Sequence, residues 1–379
     1  MKIVADDKIP FLKGVLEPFA RVEYYPGNEI SREKILDADA LIIRTRTQCK
    51  RELLEGNRVK LIATATIGFD HIDTGYCEQH AIRWLNAPGC NSSSVQQYMT
   101  AALLHLAEQE KFRLQEKTIG IIGVGNVGKK VEQAATALGM NVLLNDPPRQ
   151  RAGRESRFVS LETIQNEADI ITFHVPLNKH GADKTFHLAD SLFFNGLKKS
   201  PVIINTSRGE VIETTALKNA IRKHKVEACI LDVWENEPNI DPELLQLAEL
   251  ATPHIAGYSA DGKANGTSIC VNAVSRFFSF GIGPDWYPAE IPQAEQSNTF
   301  EIDCSGKSAQ AILYEAVLHT YPIQHDCRRL KKSPGTFEQQ RGDYPVRREF
   351  PNYTVKLINP SPASKSQLRA LGFKIPDDR

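Results

Sequence analysis

The sequence predicts an α/β protein of parallel sheets covered by helices, and three observations carry that prediction. Short apolar runs alternate with helical stretches from residue 2 onwards, the order that lays strands side by side with helices packed over them. From residue 119 on, the runs are continuous in apolar residues, as strands buried on both faces require. Gly123-Val-Gly125-Asn-Val-Gly128 then stands between one such run and a helix start, with Asp146 eighteen residues beyond the last glycine.

In chain order, strands are expected at 2–5, 40–43 and 61–65, with a helix at 50–56 that ends on Gly56. Ser92-Ser-Ser94 then caps a long helix whose apolar positions Val95, Met99, Leu103 and Leu106 share one face. Strands follow at 119–122, 141–144, 169–173, 202–205, 228–231 and 250–252, and a helix at 272–278. Glycine, proline and polar residues from 281 to 298 read as a linker. A third unit of about eighty residues comes next, with strands at 300–303 and 353–358 and helices at 309–318 and 366–371. Seven arginines and lysines between 328 and 348 face only Glu338 and Asp343. They read as a solvated basic loop; the alternative is that some of these arginines hold an anionic ligand or a partner subunit.

Strand, glycine turn, helix and a second strand ending in a carboxylate is the arrangement that binds a dinucleotide. The first glycine makes the turn, the second lets a pyrophosphate approach the backbone, and the third lets helix and strand pack closely. The pyrophosphate then rests on the amides of a helix N-terminus. Asp146 accepts the ribose hydroxyls and repels a 2′-phosphate, which favours NAD over NADP.

Composition excludes several other classes. Lysine plus arginine equals aspartate plus glutamate at 46 each, so no global charge calls for nucleic acid or an anionic membrane surface. No apolar run reaches spanning length, and the start, Met1-Lys-Ile-Val-Ala-Asp6-Asp7, does not follow a signal-peptide pattern. The seven cysteines are scattered, with no Cys-x-x-Cys pair, which is the usage of a reducing, cytoplasmic compartment. Cys77 and His80 have metal-ligand spacing but no second half, so no metal site is expected.

Three segments lie at the carboxyl ends of expected strands, where open α/β sheets bind ligands: Asn205-Thr206-Ser207-Arg208-Gly209, Asp232-Val-Trp-Glu-Asn-Glu237-Pro238, and Pro253-His254-Ile-Ala-Gly257-Tyr258. Oxidation of a 2-hydroxy acid needs a base for the hydroxyl proton, a carboxylate to orient that base, and a cation for the substrate carboxylate and 2-oxygen. His254, Glu237 and Arg208 supply those three functions.

With these segments, the glycine loop, Asp146 and His174-Val175-Pro176-Leu177, the chain over roughly residues 1–285 resembles the D-isomer-specific 2-hydroxyacid dehydrogenases. Thr64-Ala-Thr66-Ile-Gly68-Phe69-Asp70-His71, Ala87-Pro-Gly89-Cys90-Asn91 and Asn145-Asp146-Pro-Pro148 narrow the likeness within that family. The resemblance implies a Rossmann-type dinucleotide domain (96–257) inserted in a flavodoxin-like substrate domain (1–95 and 258–285), followed by a small α/β dimerisation domain (286–379). It implies a homodimer whose substrate enters between the two larger domains. The implied reaction is NAD-dependent oxidation of 4-phospho-D-erythronate to 2-oxo-3-hydroxy-4-phosphobutanoate, in pyridoxal 5′-phosphate biosynthesis. 3-Phosphoglycerate or another D-2-hydroxy acid stays open as the substrate, and an NAD-sensing, corepressor-like binding protein as the non-enzyme alternative.

The resemblance also assigns individual residues. Gly125, Asn126 and Val127 contact the pyrophosphate, Asp146 the ribose, and Val175, Thr206, Ser207, Arg208, Asp232 and Gly257 the nicotinamide side. Thr45, Thr66 and Tyr258 contact substrate. Thr45 stands where Ser is common in the family and keeps the hydroxyl, while Phe69 stands where a smaller residue is usual. Arg44 and Arg46, after the 40–43 strand, are the candidates for a substrate phosphate.

Overall fold

The computed structural model describes residues 1–153 and 156–376. The chain divides into two compact units, Met1–Asn91 with Ser259–Pro292, and Ser92–Tyr258 with Gln293–Arg379.

In the first unit, strands β1 (Lys2–Asp6), β2 (Arg21–Tyr25), β3 (Ala40–Ile43), β4 (Leu61–Thr64) and β5 (Arg83–Leu85) form one parallel sheet in the order β2-β1-β3-β4-β5. That is the flavodoxin-like order. The central strands β3 and β4 are buried throughout, which is why their apolar runs are plain in the sequence. The edge strands β2 and β5 were not expected. They are half-exposed, and Arg21, Glu23 and Arg83 interrupt their apolar pattern, as charges commonly do on edges.

The helix expected at 272–278 is part of a much longer one, Ala260–Phe278, capped where the Ser259 side chain accepts from the Gly262 amide. Gly262 and Gly266 lower its intrinsic propensity, so its first half is not legible locally. Burial against β4 overrides that cost.

The second unit carries β6 (Thr118–Ile122), β7 (Asn141–Asn145), β8 (Ile170–Phe173), β9 (Val202–Asn205), β10 (Cys229–Leu231) and β11 (Leu250–Ala251), all parallel, in the order β11-β10-β9-β8-β6-β7. One further parallel bridge, Leu144 to Phe158, lies beyond β7. It stands where the next strand of a Rossmann order would lie. The order reverses between β6 and β8, so a crevice opens at their carboxyl ends.

Helix Ser92–Gln109 is buried around nearly its whole circumference, because it packs on helix Asn126–Ala137 and on helix Ala309–Thr320. Two of its buried polar side chains reach the C-terminal segment. Ser94 Oγ donates to Glu349 Oε1 at 2.8 Å, and Gln97 Nε2 to the Arg348 carbonyl at 3.0 Å.

Beyond the linker, β12 (Thr299–Asp303) and β13 (Thr354–Ile358) pair in parallel. The closing helix begins at Pro362, earlier than expected, where Ser361 caps it by accepting from the Ser364 amide. The expectation of a solvated basic loop at 328–348 fails. Helices Ile323–Lys332 and Phe337–Gly342 occupy most of it, and Arg347 and Arg348 are buried. The first of these helices covers the edge strand β11: Lys331 Nζ donates to the Ala248 carbonyl at 2.6 Å, and the Ala251 amide reaches Cys327 Sγ at 3.3 Å. Charge alone does not reveal which members of a basic run face inward.

Candidate active site

The glycine loop fits a dinucleotide. Gly123 has φ +89°, and a Cβ there would lie 2.7 Å from the His174 carbonyl oxygen. A Cβ on Gly128 would collide with the Gly123 carbonyl, whereas one on Gly125 meets nothing within 4 Å. The first and third glycines are thus required by the turn, and the second leaves an open face. Gly125 N-caps helix Asn126–Ala137, and no side chain caps that end, so its amides face the crevice as a pyrophosphate would need. At the end of β7, Asp146 accepts from the Val124 amide at 2.8 Å and the Arg149 amide at 3.0 Å. It stays partly exposed beside the loop.

At the carboxyl ends of β8 and β9, Thr206 Oγ1 lies 3.2 Å from His174 Nδ1, and Thr172 Oγ1 lies 2.9 Å from His174 Nε2. Burial pushes the His174 pKa down to about 3, so this ring is neutral and serves to orient Thr206 rather than to carry charge. Val175 follows it directly, half-buried.

After β9 the chain turns so that Asn205 ties its own loop. Its Oδ1 accepts from the Ser207 amide and hydroxyl, and its Nδ2 donates to the Arg208 carbonyl at 2.8 Å. Gly209 presses on the next loop: a Cβ would clash with the Trp234 carbonyl group. That close approach brings the backbone of Arg208 against the 232–237 segment. Arg208 itself is half-buried, with Nη1 donating to the Ser207 carbonyl.

Glu237 and His254 meet. His254 Nδ1 lies 2.8 Å from Glu237 Oε2, and the other carboxylate oxygen accepts from the Trp234 amide at 3.0 Å. Burial pushes the Glu237 carboxyl upward, but His254, the Trp234 amide and Arg341 together outweigh it, and its pKa falls below the usual value. An ionised carboxylate only accepts, so the proton between them sits on Nδ1 and leaves the Nε2 lone pair available. His254 also has φ +56°, a left-handed backbone that an L-residue keeps only when its surroundings fix it.

Asp232 provides part of that fixing. It is 1% exposed. Its Oδ1 accepts from the Thr252 hydroxyl at 2.6 Å and the Ile255 amide at 2.7 Å, its Oδ2 from the Ala256 amide at 2.9 Å, and its carbonyl from the His254 amide at 2.7 Å. Tyr98 therefore donates to Thr252 Oγ1, 2.8 Å away, since that hydroxyl's proton is spent on Asp232. Desolvation raises the Asp232 pKa against the opposing pull of His254 and these hydrogen bonds. The sequence suggested a cofactor contact for Asp232; the hydrogen bonds show it also anchoring the histidine loop, which no local pattern reveals. Gly257 and Tyr258 continue that loop, half-buried.

The remaining expected substrate residues lie in the first unit. Thr45 is exposed, and Thr66 Oγ1 donates to the Gly68 carbonyl at 2.9 Å. Arg44 forks onto Asp6, with Nε and Nη2 at 3.0 and 3.1 Å from its two oxygens. Arg46 instead lines an open hollow of about 380 Å³ together with Arg32 and Lys50. Phe69 stacks at a tilt on Trp84, ring centroids 4.9 Å apart. Sequence reasoning placed Arg341 and Arg347 in the basic run without separating them from its other members; only the fold reveals that Arg341 bears on Glu237 and that Arg347 holds the histidine loop. Among the described residues, no group of three or more His, Cys, Asp or Glu side chains could hold a metal, and no helix is long and apolar enough to cross a membrane.

Comparison with known proteins bears on this geometry. Residues 92–256 match the NAD binding domain of the D-isomer specific 2-hydroxyacid dehydrogenases, and residues 294–372 a domain of unknown function, DUF3410. The erythronate-4-phosphate dehydrogenase of Bacteroides thetaiotaomicron is 52% identical over 94% of this chain and 99% of its own. Among solved structures, D-lactate dehydrogenase from Aquifex aeolicus complexed with NAD and lactic acid superposes with TM-score 0.63 at 25% identity, covering 74% of this chain and 96% of its own. NAD-bound 3-phosphoglycerate dehydrogenase from Entamoeba histolytica gives TM-score 0.63 at 26% identity, over 77% and 99%. The chain belongs to the erythronate-4-phosphate dehydrogenases, within the D-isomer specific 2-hydroxyacid dehydrogenase family.

Proposed function

We propose that this protein oxidises 4-phospho-D-erythronate to 2-oxo-3-hydroxy-4-phosphobutanoate with NAD, a step toward pyridoxal 5′-phosphate. The observation that carries the chemistry is the His254–Glu237 pair at the mouth of a dinucleotide sheet, in a chain of this family. Gly125, Asn126 and Val127 hold the pyrophosphate, Asp146 the ribose, and Val175, Thr206, Ser207, Asp232 and Gly257 the nicotinamide side. When bound, NAD supplies the acceptor for the hydride. Arg208 pairs with the substrate carboxylate and 2-oxygen. His254 Nε2 takes the hydroxyl proton, and Glu237 stabilises the imidazolium that forms. Thr45, Thr66 and Tyr258 contact the substrate.

Residues 1–95 and 258–285 serve as the substrate domain, 96–257 as the cofactor domain and 286–379 as the dimerisation domain of a cytoplasmic homodimer. Seven buried cysteines, none in a disulfide, support a reducing compartment, and sedimentation equilibrium checks the dimer.

The test is NADH formation with 4-phosphoerythronate, 3-phosphoglycerate and D-lactate, recording the first turnover and the steady state. Preference for 4-phosphoerythronate is expected. Activity on another acid alone would keep the chemistry and overturn the substrate. Binding of NAD without reduction of it would favour a sensor.

Two substitutions probe the assignment further. Glu237→Gln is expected to lower kcat about 10²-fold or more, because its amide can turn an NH₂ toward Nδ1 and select the wrong tautomer. Losing the negative charge also disfavours the imidazolium, so the acid limb of kcat/KM moves to lower pH; an unmoved limb argues against the pairing. For the phosphate, Arg46→Ala is expected to raise KM for 4-phosphoerythronate about 10-fold or more. Arg44→Ala chiefly costs stability, since it takes the charge partner from the fully buried Asp6 carboxylate, which keeps the Lys8 amide. An unchanged KM in both variants would remove the arginines from the phosphate site.

A further inference from the structure

The loop bearing His254 is gripped from two sides by opposite charges. Asp232 takes the amides of Ile255 and Ala256. The carbonyls of the same two residues accept from Arg347 Nη2, at 3.1 and 2.7 Å. Arg347 comes from the segment after residue 293 and is 4% exposed. Its guanidinium lies 4.4 Å from the centroid of Tyr321 and 5.8 Å from that of Tyr344. Both tyrosine hydroxyls donate to Asp326 Oδ2, at 3.1 and 2.7 Å, which fixes the rings around it.

Burying a guanidinium carries a large desolvation cost unless its bonding repays it. Here Nε and Nη1 have no hydrogen-bond partner. All the directional bonding of this side chain goes to the two peptides after His254. An apolar residue of similar length would fill the same space and contact the same rings; what arginine adds is a cation–π attraction to them and, directionally, the grip on the backbone. That grip acts where His254 holds φ +56°, a conformation its neighbours must enforce.

We propose that Arg347 is a positioning residue for His254: by holding the Ile255 and Ala256 carbonyls, it keeps the imidazole aligned on Glu237 and couples the C-terminal segment to catalysis. This rests on the reading of His254 as the base. The charged groups bearing on the pair are Asp232 beside His254, Arg341 near Glu237, and Arg347 itself.

The experiment compares Arg347→Met, Arg347→Lys and His254→Asn in the full-length protein, reading melting temperature, NADH affinity, kcat, KM and the pH dependence of kcat/KM. Arg347→Met preserves bulk and is expected to bind NADH normally and keep KM within about threefold. Its kcat should fall about 10- to 100-fold, the scale of a small misalignment of reacting groups. The acid limb should move to lower pH, as in Glu237→Gln, because the imidazole has left its carboxylate. A merely structural role would lower activity without moving the limb. Arg347→Lys keeps charge and stem but cannot reproduce the planar group, so a loss of at least about fivefold in kcat at near wild-type melting temperature is expected. It remains decisive if the Met variant fails to fold. Wild-type kcat and pH profile in a folded Arg347 variant, with His254→Asn inactive, overturns this inference alone. Activity retained in His254→Asn overturns the reading beneath it.

Discussion

Replacing His254 with asparagine is expected to lower kcat by about 10²- to 10⁴-fold, the range a positioned general base contributes, while NADH still binds with normal affinity. Asparagine is the informative substitution because the native backbone sits at φ +56°. Asparagine tolerates the left-handed region better than most residues, so the loop held by Asp232 and Arg347 should keep its shape. Its amide can still donate to Glu237 but offers no basic nitrogen to the substrate. Alanine at the same position would mix loss of the base with relaxation of the loop. Turnover by NADH absorbance and cofactor affinity by NADH fluorescence, on the same preparation, separate the two. Activity within tenfold of wild type would remove His254 from proton transfer.

Arg208→Lys is expected to lower kcat/KM for 4-phosphoerythronate about 10²- to 10³-fold, the scale of losing one aligned donor to a developing charge. The backbone here does not depend on the side chain. Asn205 holds the turn through the Ser207 amide and the Arg208 carbonyl, and Gly209 packs on Trp234. A variant should therefore fold and bind NADH. Lysine supplies charge as a single point and cannot span a carboxylate and the neighbouring 2-oxygen with a planar fork. Both kcat and KM should suffer if, as proposed, Arg208 holds the carboxylate in the ground state and polarises the 2-oxygen in the transition state. Near-native kcat/KM in the lysine variant would reduce Arg208 to an electrostatic bystander.

These two residues are legible in the sequence because their signals are local. Arg208 follows β9, whose continuous apolar run marks it as buried on both faces, and His254 follows the short strand β11 and Pro253. The glycine loop is legible for the same reason. Each glycine answers a constraint met within a few residues or across one β-α turn, and Asp146 ends the adjoining strand. The sequence by itself thus determined the central strands, the glycine loop and the three segments from which the proposed site is built.

Tertiary structure alone decided the rest. Strands β2 and β5 escape detection because an edge strand is half-solvated and tolerates Arg21, Glu23 and Arg83. The first half of helix Ala260–Phe278 is rich in glycine and polar residues and owes its form to burial against β4. The basic run could not be divided by charge into exposed and buried members. The C-terminal fold buries Arg347 among Tyr321, Tyr344 and the histidine loop, while leaving Arg328 and Lys332 exposed. The anchoring of the histidine loop by Asp232 likewise shows only in its hydrogen bonds to residues 252–256. Periodicity and turn chemistry act over a few residues, so the sequence records them directly. Which charge is buried, and which backbone it holds, depends on segments some ninety residues apart, as Arg347 and Ala256 are, and is settled only when they pack.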